Sequence, residues 1–227
     1  MIFGATSPVW FLGFDLILEL IFFLVTGLIA WYAYRIHRLT GYRQYKRWST
    51  GFLFVALAYV VNALTNLFLY FELKENGLMV STLGELTRIY NVGLLIHMLF
   101  FLAGYVILVF VSLRVDDARL SPLLLFLIAV TALASLPFSW VFELATIMLF
   151  LYLIILTAKN TRAHRKKTVH SSRCNQLVII GFSILLLGQL AYLFLPLWSI
   201  SYVVGHVLEL LGYAALIASM TIILRRK

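Results

Sequence analysis

Cysteine is almost missing from this chain. The single Cys174 excludes an internal disulfide framework. Proline is scarce too: Pro8, Pro122, Pro137 and Pro196 are the only four, and each falls at the edge of an apolar run. Charge is thin, at 12% of residues, about half of the roughly 25% usual in soluble domains. Acid is scarcer than base, with nine Asp and Glu against 18 Lys and Arg. No HExxH, GxSxG or phosphate-binding glycine loop occurs, so the common signatures of zinc peptidases, serine hydrolases and nucleotide-binding proteins are missing. The N-terminus lacks a basic n-region, and Asp15 and Glu19 interrupt its apolar run, which argues against a cleavable signal peptide.

What is present is apolar surface. Hydrophobic residues make up 63% of the 227, and the mean hydropathy is +1.00. Apolar stretches fall at about 9–34, 51–71, 90–113, 120–136, 140–158, 176–195 and 200–224. A helix needs roughly 20 residues to cross a hydrocarbon core about 30 Å thick. In lipid every backbone group must be satisfied within the span, which favours helices over open strands. The expectation is an all-α integral membrane protein, a single seven-helix domain over 1–227 embedded in the lipid bilayer of a cell membrane. The fourth stretch is the shortest. Ser7-Pro8 and Ser121-Pro122 offer helix starts, and Pro137 and Pro196 fall in expected outer turns. The two longest segments between runs are an outer loop at about 72–89 and an inner loop at about 159–175.

Base distribution predicts orientation. Arg35, Arg38, Arg43, Lys46, Arg47, Arg114, Arg119, Lys159, Arg162, Arg165, Lys166, Lys167, Arg173, Arg225, Arg226 and Lys227 fall on one side, 16 of the 18 basic residues. Only Lys74 and Arg88 fall on the other. The positive-inside rule then puts the N-terminus outside and the C-terminus in the cytoplasm. The net charge of +9 reads as topology and contact with anionic headgroups rather than as a nucleic-acid interface.

The two ends of the chain resemble each other. Phe14-Asp15-Leu16 matches Phe142-Glu143-Leu144, and Gly51-Phe52 matches Gly181-Phe182. His97 followed by Gly104-Tyr105 matches His206 followed by Gly212-Tyr213, with one residue difference in spacing. Their order suggests a 3+1+3 parallel internal repeat, with helix four as linker and a site at the repeat interface. At the level of topology alone, the layout resembles the microbial rhodopsins and the SWEET and PQ-loop transporters. Helix seven has no lysine for a retinal Schiff base, and no Pro-Gln pair exists. Neither resemblance carries functional residues across.

Polar residues within the spans locate a candidate site. Asp15, Glu19, Asn62, Asn66, His97, Glu143, Gln189, Tyr202, His206 and Glu209 are expected at similar depth in the outer half, with apolar residues beneath. Intramembrane carboxylates usually face a bundle interior or an aqueous cavity. Asp15 and Glu19 share a helix face, as do Asn62 and Asn66, with Tyr59 and Tyr70 extending that stripe. Tyr202, His206, Glu209 and Tyr213 form another stripe, and Ala214 and Ala218 offer a small-residue packing pair. Structural readings compete. The amides serve as interhelical glue, His97 bonds a backbone carbonyl, Tyr105 and Tyr213 pack with satisfied hydroxyls, and Glu143 sits at headgroup level.

Three functions fit an outward-facing pocket of carboxylates and imidazoles. It can bind and transport a cation or small solute, with proton coupling. It can act as a heptahelical sensor or receptor through a protein partner on the cytoplasmic side. It can hold a metal or haem in a membrane enzyme, with His97, His206 and Glu209 as candidate ligands and Asp15 as a further zinc donor. The sequence names no cofactor, and transport is favoured over enzymatic activity.

Overall fold

The computed structural model describes residues 12–76, 80–113, 120–164, 169–195, 198 and 200–225. Seven helices and no strand occur among them: α1 (Leu12–Thr40), α2 (Arg43–Asn76), α3 (Val80–Leu113), α4 (Leu120–Ser135), α5 (Ser139–His164), α6 (Val169–Leu193) and α7 (Ile200–Leu224). Six are long and apolar enough to cross a membrane; α4 is the exception, with 16 residues. At about 1.5 Å per residue it is about 24 Å long, short of the core thickness.

The helices outrun their apolar stretches. Both α2 and α3 have 34 residues, so most of the expected outer loop at 72–89 is helix. The expected inner loop at 159–175 is likewise helical over 159–164 and 169–175. A helix satisfies its own backbone in water as in lipid, so leaving the apolar run does not end it. What ends α1 is Gly41, whose φ of 72° suits a residue lacking a β-carbon. Its N–H closes on the His37 carbonyl at 2.8 Å, a left-handed C-cap. Pro137 lies in the turn between α4 and α5, and Ser121 and Pro122 lie in the first turn of α4. Ser7, Pro8 and Pro196 fall outside the described residues.

Contacts fix the relative directions. Glu19 meets Asn62 and Asn66 while Phe22 meets Tyr59, so α1 and α2 are antiparallel. Gly51 against Gly104 and Ala58 against His97 make α2 and α3 antiparallel. Cys174 against Ser219 and Gly188 against Gly205 do the same for α6 and α7. By contrast, α3 and α5 run parallel, because His97 lies beside Phe142 and Tyr105 beside Phe150. Similarly α1 and α7 run parallel, with Asp15 by Tyr202 and Phe22 by Tyr213. All four odd-numbered helices therefore begin at one end, termed the upper end, and α4 carries the chain back to it.

Each outer pair of neighbours meets at a glycine crossing. A β-carbon on Gly104 would stand 2.7 Å from the Gly51 carbonyl oxygen, and one on Gly212 would stand 3.0 Å from that of Gly181. Leu108, four residues after Gly104, covers Gly51; Leu216, four after Gly212, covers Gly181. The small-residue pair expected at Ala214 and Ala218 is exposed. Close packing on α7 instead uses Gly205, Gly212 and Ser219, one helical face away.

Below the middle the core is mostly apolar. Ile29, Ala33, Phe52, Leu108, Phe150, Leu153, Phe182 and Leu216 are all fully buried. A separate cavity of about 490 Å³ lies among α3, α4 and α5, lined by Leu102, Val106, Ile128, Met148 and Tyr152 among others.

Candidate functional site

The site occupies the upper half of the bundle and centres on Glu209. This residue is 5% exposed. It lies on the α7 face that carries His206 and Tyr213, each about one turn away at helical spacing. Its Oε1 accepts the Tyr59 hydroxyl from α2, and its Oε2 accepts the Tyr192 hydroxyl from α6 at 3.0 Å.

Proton counting orders the rest. A tyrosine has one hydroxyl proton. Tyr59 gives its proton to Glu209, so in the 2.9 Å contact between Tyr59 and Tyr213 the donor is Tyr213. Tyr213 has then spent its proton, and Tyr105 donates across the 2.8 Å contact between them. Tyr192 has likewise given its proton to Glu209, so His206 Nδ1 carries the proton in their 2.9 Å contact. The same N–H faces the Tyr202 carbonyl at 3.0 Å. Three hydroxyls thus run in sequence from Tyr105 to the carboxylate, and a fourth joins from Tyr192. Such chains strengthen cooperatively in a low dielectric.

A second acidic group lies above. Glu19, 3% exposed, accepts amide N–H groups from Asn62 at 2.5 Å and Asn66 at 2.7 Å, both on Oε1. Its Oε2 is buried with no hydrogen-bond partner. Asp15, 5% exposed, hydrogen-bonds Tyr202. Glu143 stands within electrostatic reach of Glu209, and its Oε2 is also buried and unpartnered. Gln189 is buried with its Oε1 in the same condition.

Most of the residues expected in the site lie inside the bundle. Asp15, Glu19, Gln189, His206 and Glu209 are buried; Asn62, Asn66, His97, Glu143 and Tyr202 are half-buried. Tyr70 departs from the expected stripe, being 60% exposed. It sits two turns above Asn62 on α2, past the neighbours that cover the amides. His97 Nδ1 contacts the Ala58 carbonyl at 2.9 Å, its ring packed on Phe101 and Phe142.

The expected metal set does not form. Among the described residues no group of three or more His, Cys, Asp and Glu side chains could hold a metal ion. His97 is turned to the α2 backbone and His206 to Tyr192 and Tyr202. The two imidazoles are linked through packed rings, Tyr59 edge-on to His97 at 6.3 Å and Phe22 tilted against His206 at 5.7 Å. With Phe22 and Tyr59 themselves 5.1 Å apart, aromatic side chains fill the region a shared haem or zinc would need.

Tyr192 was missed from sequence. Its signal was the three-residue step from Gln189 along α6, which places both near one face. In a chain with 12 tyrosines that spacing alone does not stand out.

Comparison with protein-family models, curated proteins and solved structures found no match to this chain.

Proposed function

We propose that the chain crosses the membrane seven times, binds a cation or small solute in an acidic pocket open to the outside, and moves it together with a proton. The observation that carries this reading is the environment of Glu209. A buried carboxylate among apolar helices is expensive and is typical of proton relays and ion pathways. Protonation would convert one carboxylate oxygen from acceptor to donor. Tyr59 and Tyr192 both donate to it, so the oxygen that takes the proton holds its tyrosine more weakly or donates to it in turn.

Tyr59 belongs to α1–α3, whereas Tyr192 and Glu209 belong to α5–α7. A proton taken up on Oε1 therefore alters the Tyr59 contact, which joins the two helix triplets. Several features support reading these triplets as a parallel repeat with α4 as linker. The Gly51–Gly104 crossing with Leu108 matches the Gly181–Gly212 crossing with Leu216. Phe22 of α1 packs on Tyr213 of α7, and Phe150 of α5 packs on Tyr105 of α3. Rocking of one triplet against the other about the Tyr105–Tyr213 contact is then the transport step, as in repeat transporters. The basic residues support an outside N-terminus, and the parallel course of α3 and α5 supports a crossing by α4.

The test uses proteoliposomes with a trapped pH-sensitive dye and inward gradients of sodium, potassium, tetramethylammonium and methylguanidinium. At least one cation should drive a proton flux that protein-free liposomes lack, and Glu209→Gln should cut it at least tenfold. The reading fails if none of the four moves protons, or if the Gln variant matches the parent protein.

A further inference from the structure

We propose that Glu143 and Gln189 form a subsite for the N–H groups of an organic cation, an ammonium or guanidinium ion, above Glu209. Gln189 is 4% exposed, and its Oε1 is buried without a partner, as is Glu143 Oε2. A buried polar atom normally has a hydrogen-bond partner, and leaving one unmade costs about 1–3 kcal/mol. Both orphans are acceptors, so what suits them is a donor.

Register places the two together. Phe150 of α5 and Phe182 of α6 have ring centroids 6.2 Å apart. The helices are antiparallel, because α5 runs with α3 and α7 while α6 opposes α7. Seven residues before Phe150 is Glu143, and seven after Phe182 is Gln189. Two turns toward the upper end, on the same faces, the unpartnered carboxylate and amide therefore lie at one level. Glu143 acts electrostatically on both Glu209 and Tyr192, so this level adjoins the Glu209 cluster.

Among the described residues no lysine or arginine supplies a cation to this place. Every lysine and arginine whose burial is described is exposed. The nearby protons are committed: those of Tyr59 and Tyr192 to Glu209, and that of His206 Nδ1 to Tyr192 and Tyr202. The region is rich in carboxyl and amide oxygen acceptors, which suits a donor and disfavours an anionic ligand. An ammonium or guanidinium ion carries the charge for the carboxylates and several N–H donors for the orphaned oxygens. The subsite names the solute class for the transport reading and rests on it only for what happens after binding.

The experiment is isothermal titration of the full chain in lipid nanodiscs, at constant ionic strength. Methylguanidinium should bind saturably, and methylammonium should compete. Tetramethylammonium, a cation with no N–H, should bind at least tenfold more weakly. Glu143→Gln should weaken methylguanidinium binding at least tenfold. Gln189→Leu removes the unpartnered oxygen and replaces it with apolar surface, so it should fold at least as well while weakening binding at least fivefold. Absence of saturable binding, equal binding of tetramethylammonium, or parent-like affinity in the Leu variant would overturn the subsite. Saturable binding with no proton flux in liposomes would uphold the subsite and sink coupled transport.

Discussion

The hydroxyl chain makes its tyrosines unequal, although Tyr59, Tyr105 and Tyr213 are all buried aromatic residues in the same core. Tyr59 donates to a carboxylate and accepts from Tyr213, whereas Tyr105 stands at the far end and makes one hydroxyl contact in the chain. Tyr59→Phe should destabilise the protein by about 1.5–3 kcal/mol, the range for a hydrogen bond to a charged group, and Tyr105→Phe by about 0.5–1.5 kcal/mol. Unfolding in mixed micelles, followed by circular dichroism, measures both, and an equal or reversed order would break the directed chain. At this scale the sequence was readable in part. Tyr202, His206, Glu209 and Tyr213 follow helical spacing on one helix, so their shared face could be read directly. Their partners Tyr59 and Tyr192 lie 150 and 17 residues from Glu209. Which tyrosine a carboxylate finds across such distances depends on helix packing, which spacing along one helix does not encode.

Helix boundaries show a similar division between what local chemistry dictates and what packing decides. The apolar runs mark the lipid-buried parts of α2 and α3, but polar flanks continue the helix, so hydropathy underestimates length. Packing faces were less legible. Ala214 and Ala218 have the right spacing for close approach, yet the crossing passes through Gly212, because only a missing side chain admits the Gly181 carbonyl and Leu185. The same physics separates two glycines of one chemistry. Gly104→Ala would place a β-carbon 2.7 Å from a backbone oxygen and 3.1 Å from the Val55 nitrogen, and rigid backbone cannot yield cheaply. A loss of about 1–3 kcal/mol is expected from such overpacking. Gly27 has no atom within 4 Å of its would-be β-carbon, so Gly27→Ala should be neutral or add up to about 1 kcal/mol through helix propensity. Thermal unfolding of the two variants in one detergent decides it, and a tolerated Gly104→Ala would mean the crossing is looser than its geometry.

For the molecule as a whole, the open matter is how α4 and the bundle sit in the bilayer. The apolar stretch at 120–136 suggests a span, although α4 has 16 residues and falls short of a full crossing. Length and connectivity therefore point in different directions. The chain leaves α3 at the lower end and begins α5 at the upper end, since α3 and α5 are parallel. A helix of about 24 Å can join them across a bilayer that thins locally, at a modest cost per ångström of mismatch. Three exposed positions test this together with the proposed orientation. Arg38 lies in the last turn of α1, Phe138 in the turn between α4 and α5, and Trp198 between α6 and α7. Phe138 and Trp198 are 56% and 71% exposed, while the native Cys174 is buried and should contribute little background. In intact cells an impermeant thiol reagent should label Phe138→Cys and Trp198→Cys and spare Arg38→Cys until the membrane is opened. Labelling of Arg38→Cys alone would invert the orientation and place the acidic pocket on the cytoplasmic side. Protection of both Phe138→Cys and Trp198→Cys, alongside Arg38→Cys, until the membrane is opened would mean that α4 does not cross. The α5–α7 triplet could not then run parallel to α1–α3 within one bilayer, and the parallel repeat, with the rocking motion built on it, would be withdrawn.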